Sequence, residues 1–156
     1  MQLRRTVNKS SISYSLGGSD GKSDIIVSSD GETIPLVPDA VMGSMGAIDI
    51  EDGYDYAIVD GWAADVKSDK LPKTVVIFID GDYFYSDNFN EEKSGYLNLS
   101  GSDFRKAGFR YKFPLELFEN IVNKDSEIRF FAISEKGMAS ELKYPEGYKW
   151  GKTFKP

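Results

Sequence analysis

The chain predicts an all-β fold, an antiparallel Ig-like or jelly-roll-like β-sandwich with one or two short helical turns. Three observations carry that expectation. Asp-Gly pairs recur at 20-21, 30-31, 52-53, 60-61 and 80-81, with Gly17-Gly18, Lys136-Gly137 and Glu146-Gly147 between them, so turn signals punctuate the chain at short intervals. The segments between them are rich in β-branched and aromatic residues. Within 73–85, Asp80-Gly81 separates two such runs, the strongest short-range hairpin signal a sequence offers, because a two-residue turn of that type needs φ > 0 at both central positions.

In chain order, strands are expected over 11–16, 24–29, 33–37, 45–50, 54–65, 74–79, 83–86, 109–113, 127–134 and 138–143. The first forty residues, with Ser, Gly and Asp clusters and prolines at 35 and 38, read either as edge strands or as an ordered linker. Residues 41–143 are expected to form the sandwich core. In 54–65, alternation places Tyr54, Tyr56, Ile58 and Trp62 on one face, and that aromatic face is expected to enter the core. Val75 to Ile79 and Phe130 to Ile133 are apolar on both faces, so these two runs are central strands covered on each side and should pair or stack. Ser102 caps a helical turn through Lys106. Pro114 suits the first position of a second turn over 115–121, where Leu115, Phe118 and Ile121 share a face. Residues 144–156 mix aromatics with lysines and read as a tail that packs its first aromatics and frays, with Tyr144, Tyr148, Trp150 and the nearby lysines as an alternative membrane or partner contact.

A chain of 156 residues, 40% hydrophobic and 28% charged, suits one domain with its own core. The formal charge of −6 repels phosphate backbones, so nucleic acid is not an expected partner. Absence of cysteine removes thiol chemistry, and absence of histidine removes the commonest general base and the dominant zinc ligand. The start carries Arg4-Arg5 with no apolar run of signal-peptide length after it. An extracytoplasmic protein with this start is a mature product or a piece of a larger chain.

Two candidate sites overlap. Tyr83, Phe84, Tyr85, Phe89 and Tyr96 suggest an aromatic platform for sugar rings, with Asp82, Asp87, Asn88 and Asn90 supplying hydrogen bonds to hydroxyls. The competing reading has Tyr83 and Tyr85 on one face and Phe84 on the other, half of them filling the core. Asp80, Asp82, Asp87 and Glu91 gather hard oxygen donors for calcium, but their spacing fails the EF-hand pattern and a solvated acidic loop is the better account of them. No cofactor is otherwise expected. Asp49, Glu51, Asp52 and Asp55 read as charges that discourage edge pairing. No nucleophile elbow, phosphate loop or metal-ligand pair occurs, so the chain reads as non-enzymatic, the alternative being a glycan hydrolase using carboxylates of 80–92.

Gly61-Trp62-Ala63-Ala64-Asp65, Pro72, the apolar strand ending at Asp80-Gly81, Gly108-Phe109-Arg110-Tyr111-Lys112-Phe113-Pro114, and Ile128-Arg129-Phe130-Phe131-Ala132-Ile133 together resemble a bacterial cell-envelope module. That module is the β-sandwich appended to secreted wall-active proteins and to extracytoplasmic ends of multi-pass membrane proteins. The resemblance spans 54–142. It departs where such modules carry Arg-Pro-Asp-Val, since only Asp103 corresponds within Ser100-Gly-Ser-Asp-Phe-Arg-Lys-Ala-Gly108. It implies a periplasmic or surface location, fusion to a larger chain, and envelope polysaccharide or a membrane protein as partner. A structural or protein-interaction domain is the alternative function.

Overall fold

The computed structural model describes residues 12–18, 24–50, 56–65, 70–88, 108–114, 116 and 126–144. Ten strands make up the described fold: β1 (Tyr14–Gly17), β2 (Ile25–Ser28), β3 (Thr33–Pro35), β4 (Met42–Ile50), β5 (Tyr56–Ala64), β6 (Thr74–Ile79), β7 (Asp82–Asn88), β8 (Gly108–Pro114), β9 (Ile128–Ile133) and β10 (Ala139–Leu142). They form three antiparallel sheets in the orders β1-β2-β3, β10-β9-β6-β7 and β4-β5-β8. The helical turn expected at 102–106 lies outside the described residues. Of the turn expected at 115–121 only Glu116 is described, exposed and with helical backbone.

The four-stranded sheet is the middle layer. One of its faces packs on β4-β5-β8, joining Val75, Ile77, Ile79, Ile128, Phe130 and Ala132 to Met45, Ala57, Val59, Ala63, Phe109, Tyr111 and Phe113 in the sandwich core. Its opposite face, with Val76, Phe78, Phe131 and Ile133, meets Ile26 and Ile34 of the N-terminal sheet in a second core. Every residue of β6 is buried as a result. The unbroken apolar runs of β6 and β9 have this cause, and the two strands pair directly, Thr74 opposite Ile133 through Ile79 opposite Ile128. β1, β2 and β3 therefore form a third layer.

The expected hairpin forms at Asp80-Gly81, with φ of 52° and 86°. Gly81 takes that conformation at no steric cost, and Asp80 tolerates it while using its carboxylate. Asp80 Oδ1 accepts the Glu127 N–H at 2.9 Å, and its own N–H donates to the Glu127 carbonyl at 2.8 Å, so the turn also fixes the start of β9. Asp30-Gly31 turns β2 into β3, whereas Asp60-Gly61 lies inside β5. Asp20-Gly21 and Asp52-Gly53 are outside the described residues.

The face of β5 that enters the core is the opposite of the one expected. Ala57, Val59, Gly61 and Ala63 are buried, while Ile58 and Trp62 are only half-buried on the other side. The reason is volume. Phe109, Tyr111 and Phe113 of the neighbouring strand fill the core, and small residues on β5 make room for them. Gly61 stands opposite Phe109 and Trp62 opposite Gly108, so each strand places a glycine against the other's aromatic residue. A Cβ at position 61 would come within 2.7 Å of Phe109 Cζ and of the Ser44 carbonyl oxygen.

The two ends of the sandwich close differently. Along β10, the strap 36–45 runs parallel to the strand, bridging Leu36 with Ala139 and Ser44 with Lys143. Ser140 Oγ ties it down, donating to the Val37 carbonyl at 2.6 Å and accepting from Val41 N–H at 2.9 Å. At the far end rings of β7 and β8 interlock: Phe84 and Tyr85 lie 4.9 and 5.0 Å from Phe113, and Tyr85 lies 5.3 Å from Tyr111.

Two predictions follow from this packing. Gly61→Ala should cost about 1–3 kcal/mol by overpacking and Phe130→Ala about 3–5 kcal/mol by leaving a cavity, whereas Gly81→Asn should stay within about 1 kcal/mol because Asn also adopts the left-handed turn, all checked by urea denaturation. Ser28 Oγ donates to the Asp30 carboxylate and accepts from Glu32 N–H at 3.0 Å, and this bond from Ser28 is the main cause holding the Asp30 carboxyl below its ordinary range. The resulting stability is present above the unfolded pKa of Asp30 and is lost as pH falls through its lower folded value. Ser28→Ala should return Asp30 toward the ordinary carboxylate range, seen by carboxyl-carbon NMR titration.

Candidate functional site

The segment expected to carry the aromatic platform is strand β7, and its aromatics divide between two cores. A register shift between Ile77 and Phe78 leaves Tyr85 opposite Ile77 and Tyr83 opposite Phe78, with Phe84 as the extra residue of a β-bulge. The bulge breaks alternation. Tyr83 packs on the second core, 6.0 Å from Tyr14 and 6.5 Å from Phe78, while Phe84 and Tyr85 both pack on the sandwich core. Tyr83 and Tyr85 thus lie on opposite faces of the sheet, contrary to the alternation reading. Tyr83 Oη lies 3.2 Å from the Ile12 carbonyl, to which it donates, and 2.8 Å from Ser86 Oγ. Tyr83, Phe84 and Tyr85 are all half-buried.

The polar candidates are strung along the same strand. Asp82 is exposed and pairs with Ile79, whereas Asp87 is half-buried and pairs with Val75, near the other end of β7. Five residues of extended chain separate these carboxylates by about 17 Å along the strand. Asp80, the third weak candidate for a metal, commits one oxygen to Glu127 N–H. Among the described residues no group of three carboxylates is placed to hold a metal ion. Asn88 ends β7 opposite Thr74, and Phe89, Asn90, Glu91 and Tyr96 lie outside the described residues. Tyr144 docks as expected, its hydroxyl donating to the Ile128 carbonyl at 2.9 Å and its ring 6.3 Å from Phe130. Tyr148 and Trp150 lie outside the described residues, as do Glu51, Asp52 and Asp55.

A concave site does open elsewhere, on the outer face of the middle sheet beside β10. It is a groove of about 520 Å³, within the usual size range of small-ligand pockets. The N-terminal sheet packs on this face at Val76, Phe78, Phe131, Ile133 and Ala139, and the groove lies beside that cover. Phe131 and Ala139 form its floor with Leu36 and Val41, and the strap residues Pro38, Asp39 and Met42 form one wall. Met42 is 48% exposed, the more exposed of two large hydrophobic side chains that stand out among the described residues. Asp39 adopts φ of 65° at the bend of the strap.

Charge is arranged across the groove. Arg129 donates from Nε and Nη2 to the two oxygens of Glu141, both at 2.9 Å, and its guanidinium lies 5.1 Å from the Phe131 ring centroid. The Glu141 bonds hold the Arg129 guanidinium above its ordinary pKa range, partly offset by burial. Asp24, Asp39 and Lys143 also line the groove. Reading the sequence does not reveal this site, because its walls come from 24, 36–43, 129–131 and 139–143, segments that share no local motif. The prolines at 35 and 38 are the nearest signal, since they mark chain that leaves a ladder.

No family model matches the chain, and no curated protein matches it. Among solved structures, the fibronectin(III)-like modules of Clostridium thermocellum CbhA align with 80% of this chain and 62% of that chain, at 17% identity and a TM-score of 0.37. The chain thus spans less than two thirds of the length of that structure, and the strand pairings rather than this likeness establish the sandwich. No helix among the described residues is long and apolar enough to cross a membrane.

The Arg129–Glu141 pair is partly exposed, so its coupling should be modest. A double-mutant cycle of Arg129→Gln and Glu141→Gln is expected to give about 0.2–1 kcal/mol in dilute buffer, falling in molar salt. Thermal denaturation of the four proteins measures it.

Proposed function

We propose that the chain is a non-catalytic binding module of a bacterial cell-envelope protein, working outside the cytoplasm and holding an envelope polymer or partner for the larger protein that carries it. The observation that carries this reading is the groove: a concave, partly apolar site rimmed by charges of both signs on a rigid two-core scaffold. The resemblance to envelope modules supports the location. Its motifs fall on β5, β6, β8 and β9, where they build the fold, so the resemblance bears on architecture and setting and leaves the ligand to be read from the groove.

Glycan recognition through 82–96 is the second reading. What favours it is the exposed Asp82 beside the half-buried ring of Tyr83, at the edge of the middle sheet. The half-burial of all three β7 rings weighs for the groove instead.

Co-sedimentation with insoluble envelope polymer separates these readings. The module reading expects saturable retention of the chain. If the groove is the contact, Met42→Asp should weaken retention by about 1 kcal/mol or more, roughly fivefold, while Asp82→Asn leaves it unchanged. Loss with Asp82→Asn alone would move the contact to β7, and no retention of the unmodified chain would sink the binding-module reading for that polymer.

A further inference from the structure

The groove contains an open rung in a ladder of main-chain pairing. The Ile133 carbonyl accepts from Lys73 N–H, which turns the Ile133 main chain toward β6 and away from β10. Its partner Ala139 must then turn its own main chain outward, and alternation gives Glu141 and Lys143 the same direction. Ala139 and Lys143 are met there by the strap: their carbonyls accept from Val37 N–H at 2.7 Å and Met45 N–H at 2.9 Å. Glu141, between them, pairs with Phe131 on β9 and has no bridge partner on the strap among the described residues. Chain length explains the gap. The strap advances eight positions from Leu36 to Ser44 while β10 and its extension advance four, from Ala139 to Lys143, so the surplus arches away at the middle.

We propose that the groove takes an extended peptide, which completes the rung by pairing its main chain with Glu141. A strand edge selects an occupant with a donor and an acceptor on one peptide unit, and that is how sheets recruit extended segments. Leu36 and Met42 offer an apolar surface for one side chain of the occupant. The charges define its neighbours. Arg129 is matched by Glu141, which leaves Lys143 among the lining residues for a carboxylate, and Asp24 and Asp39 for an amine. The occupant is therefore a short peptide with an apolar residue between one acidic and one basic side chain. This deepens the binding-module reading and rests on it.

The test is an amide NMR titration of the labelled full chain with a capped tripeptide, valine flanked by glutamate and lysine, in both chain orders, and separately with envelope glycan freed of peptide. One tripeptide order should give saturable shifts at Val37, Met42, Glu141 and Lys143 and slow hydrogen exchange at the Glu141 amide. Glu141→Ala and Glu141→Pro both lose the carboxylate, but only proline removes the donor, so the proline variant should bind about three- to tenfold more weakly than the alanine one. Asp39→Asn retains a residue type suited to left-handed φ and should weaken the charged peptide while sparing a tripeptide of valines. Equal binding by the two Glu141 variants overturns the proposal, and if the proline variant misfolds, an unchanged Glu141 exchange rate under saturating peptide does so. Groove shifts with glycan alone refute the peptide and leave the module reading standing. Silence with both probes removes the peptide proposal, while co-sedimentation decides the module reading separately.

Discussion

Everything in this molecule depends on the middle sheet being apolar on both faces. A sheet with one wet face needs a single partner layer, but β6, buried at every position, needs two. The second partner is recruited from the start of the chain, where three short strands supply Ile26 and Ile34 with Tyr14, Leu16 and Leu36 around them. The groove opens beside that cover, between the strap and β10.

The same demand sets how the edges are handled. One side of the middle sheet is clasped by the strap along β10, through Ser140 and the carbonyls of Ala139 and Lys143. The other ends in β7, where the bulge at Phe84 sends two successive rings into one core. A bulge increases local twist and interrupts a flat edge, one of the ways proteins discourage unwanted strand addition. Aromatic interlocking with Phe113 then holds β7 against β8.

Much of the fold was legible because hydrophobic patterning reports burial directly. The runs 75–79 and 130–133 announced central strands, and Asp80-Gly81 announced its hairpin, since each is a local constraint. Alternation failed at two places for two physical reasons. On β5 it identified the two faces correctly but not which one faces inward, because Ala57, Gly61 and Ala63 are chosen to complement Phe109, Tyr111 and Phe113 on another strand, and complementarity between distant segments has no local signature. On β7 the bulge shifted the count by one, so Tyr83 and Tyr85 parted to opposite faces. The groove was invisible for the first of these reasons, its walls being drawn from segments more than a hundred residues apart.

The N-terminal sheet also decides where this unit begins as a heritable and transferable piece. A boundary drawn just before the strap would keep both sheets of the sandwich and their shared core, yet it would strip the cover from Val76, Phe78, Phe131 and Ile133. Those four side chains would become a contiguous sticky face on an otherwise finished domain. Recombination, proteolysis or gene fusion within β1–β3 would therefore uncover that face, and the stretch whose sequence reads as edge strands or an ordered linker is a structural layer of the module.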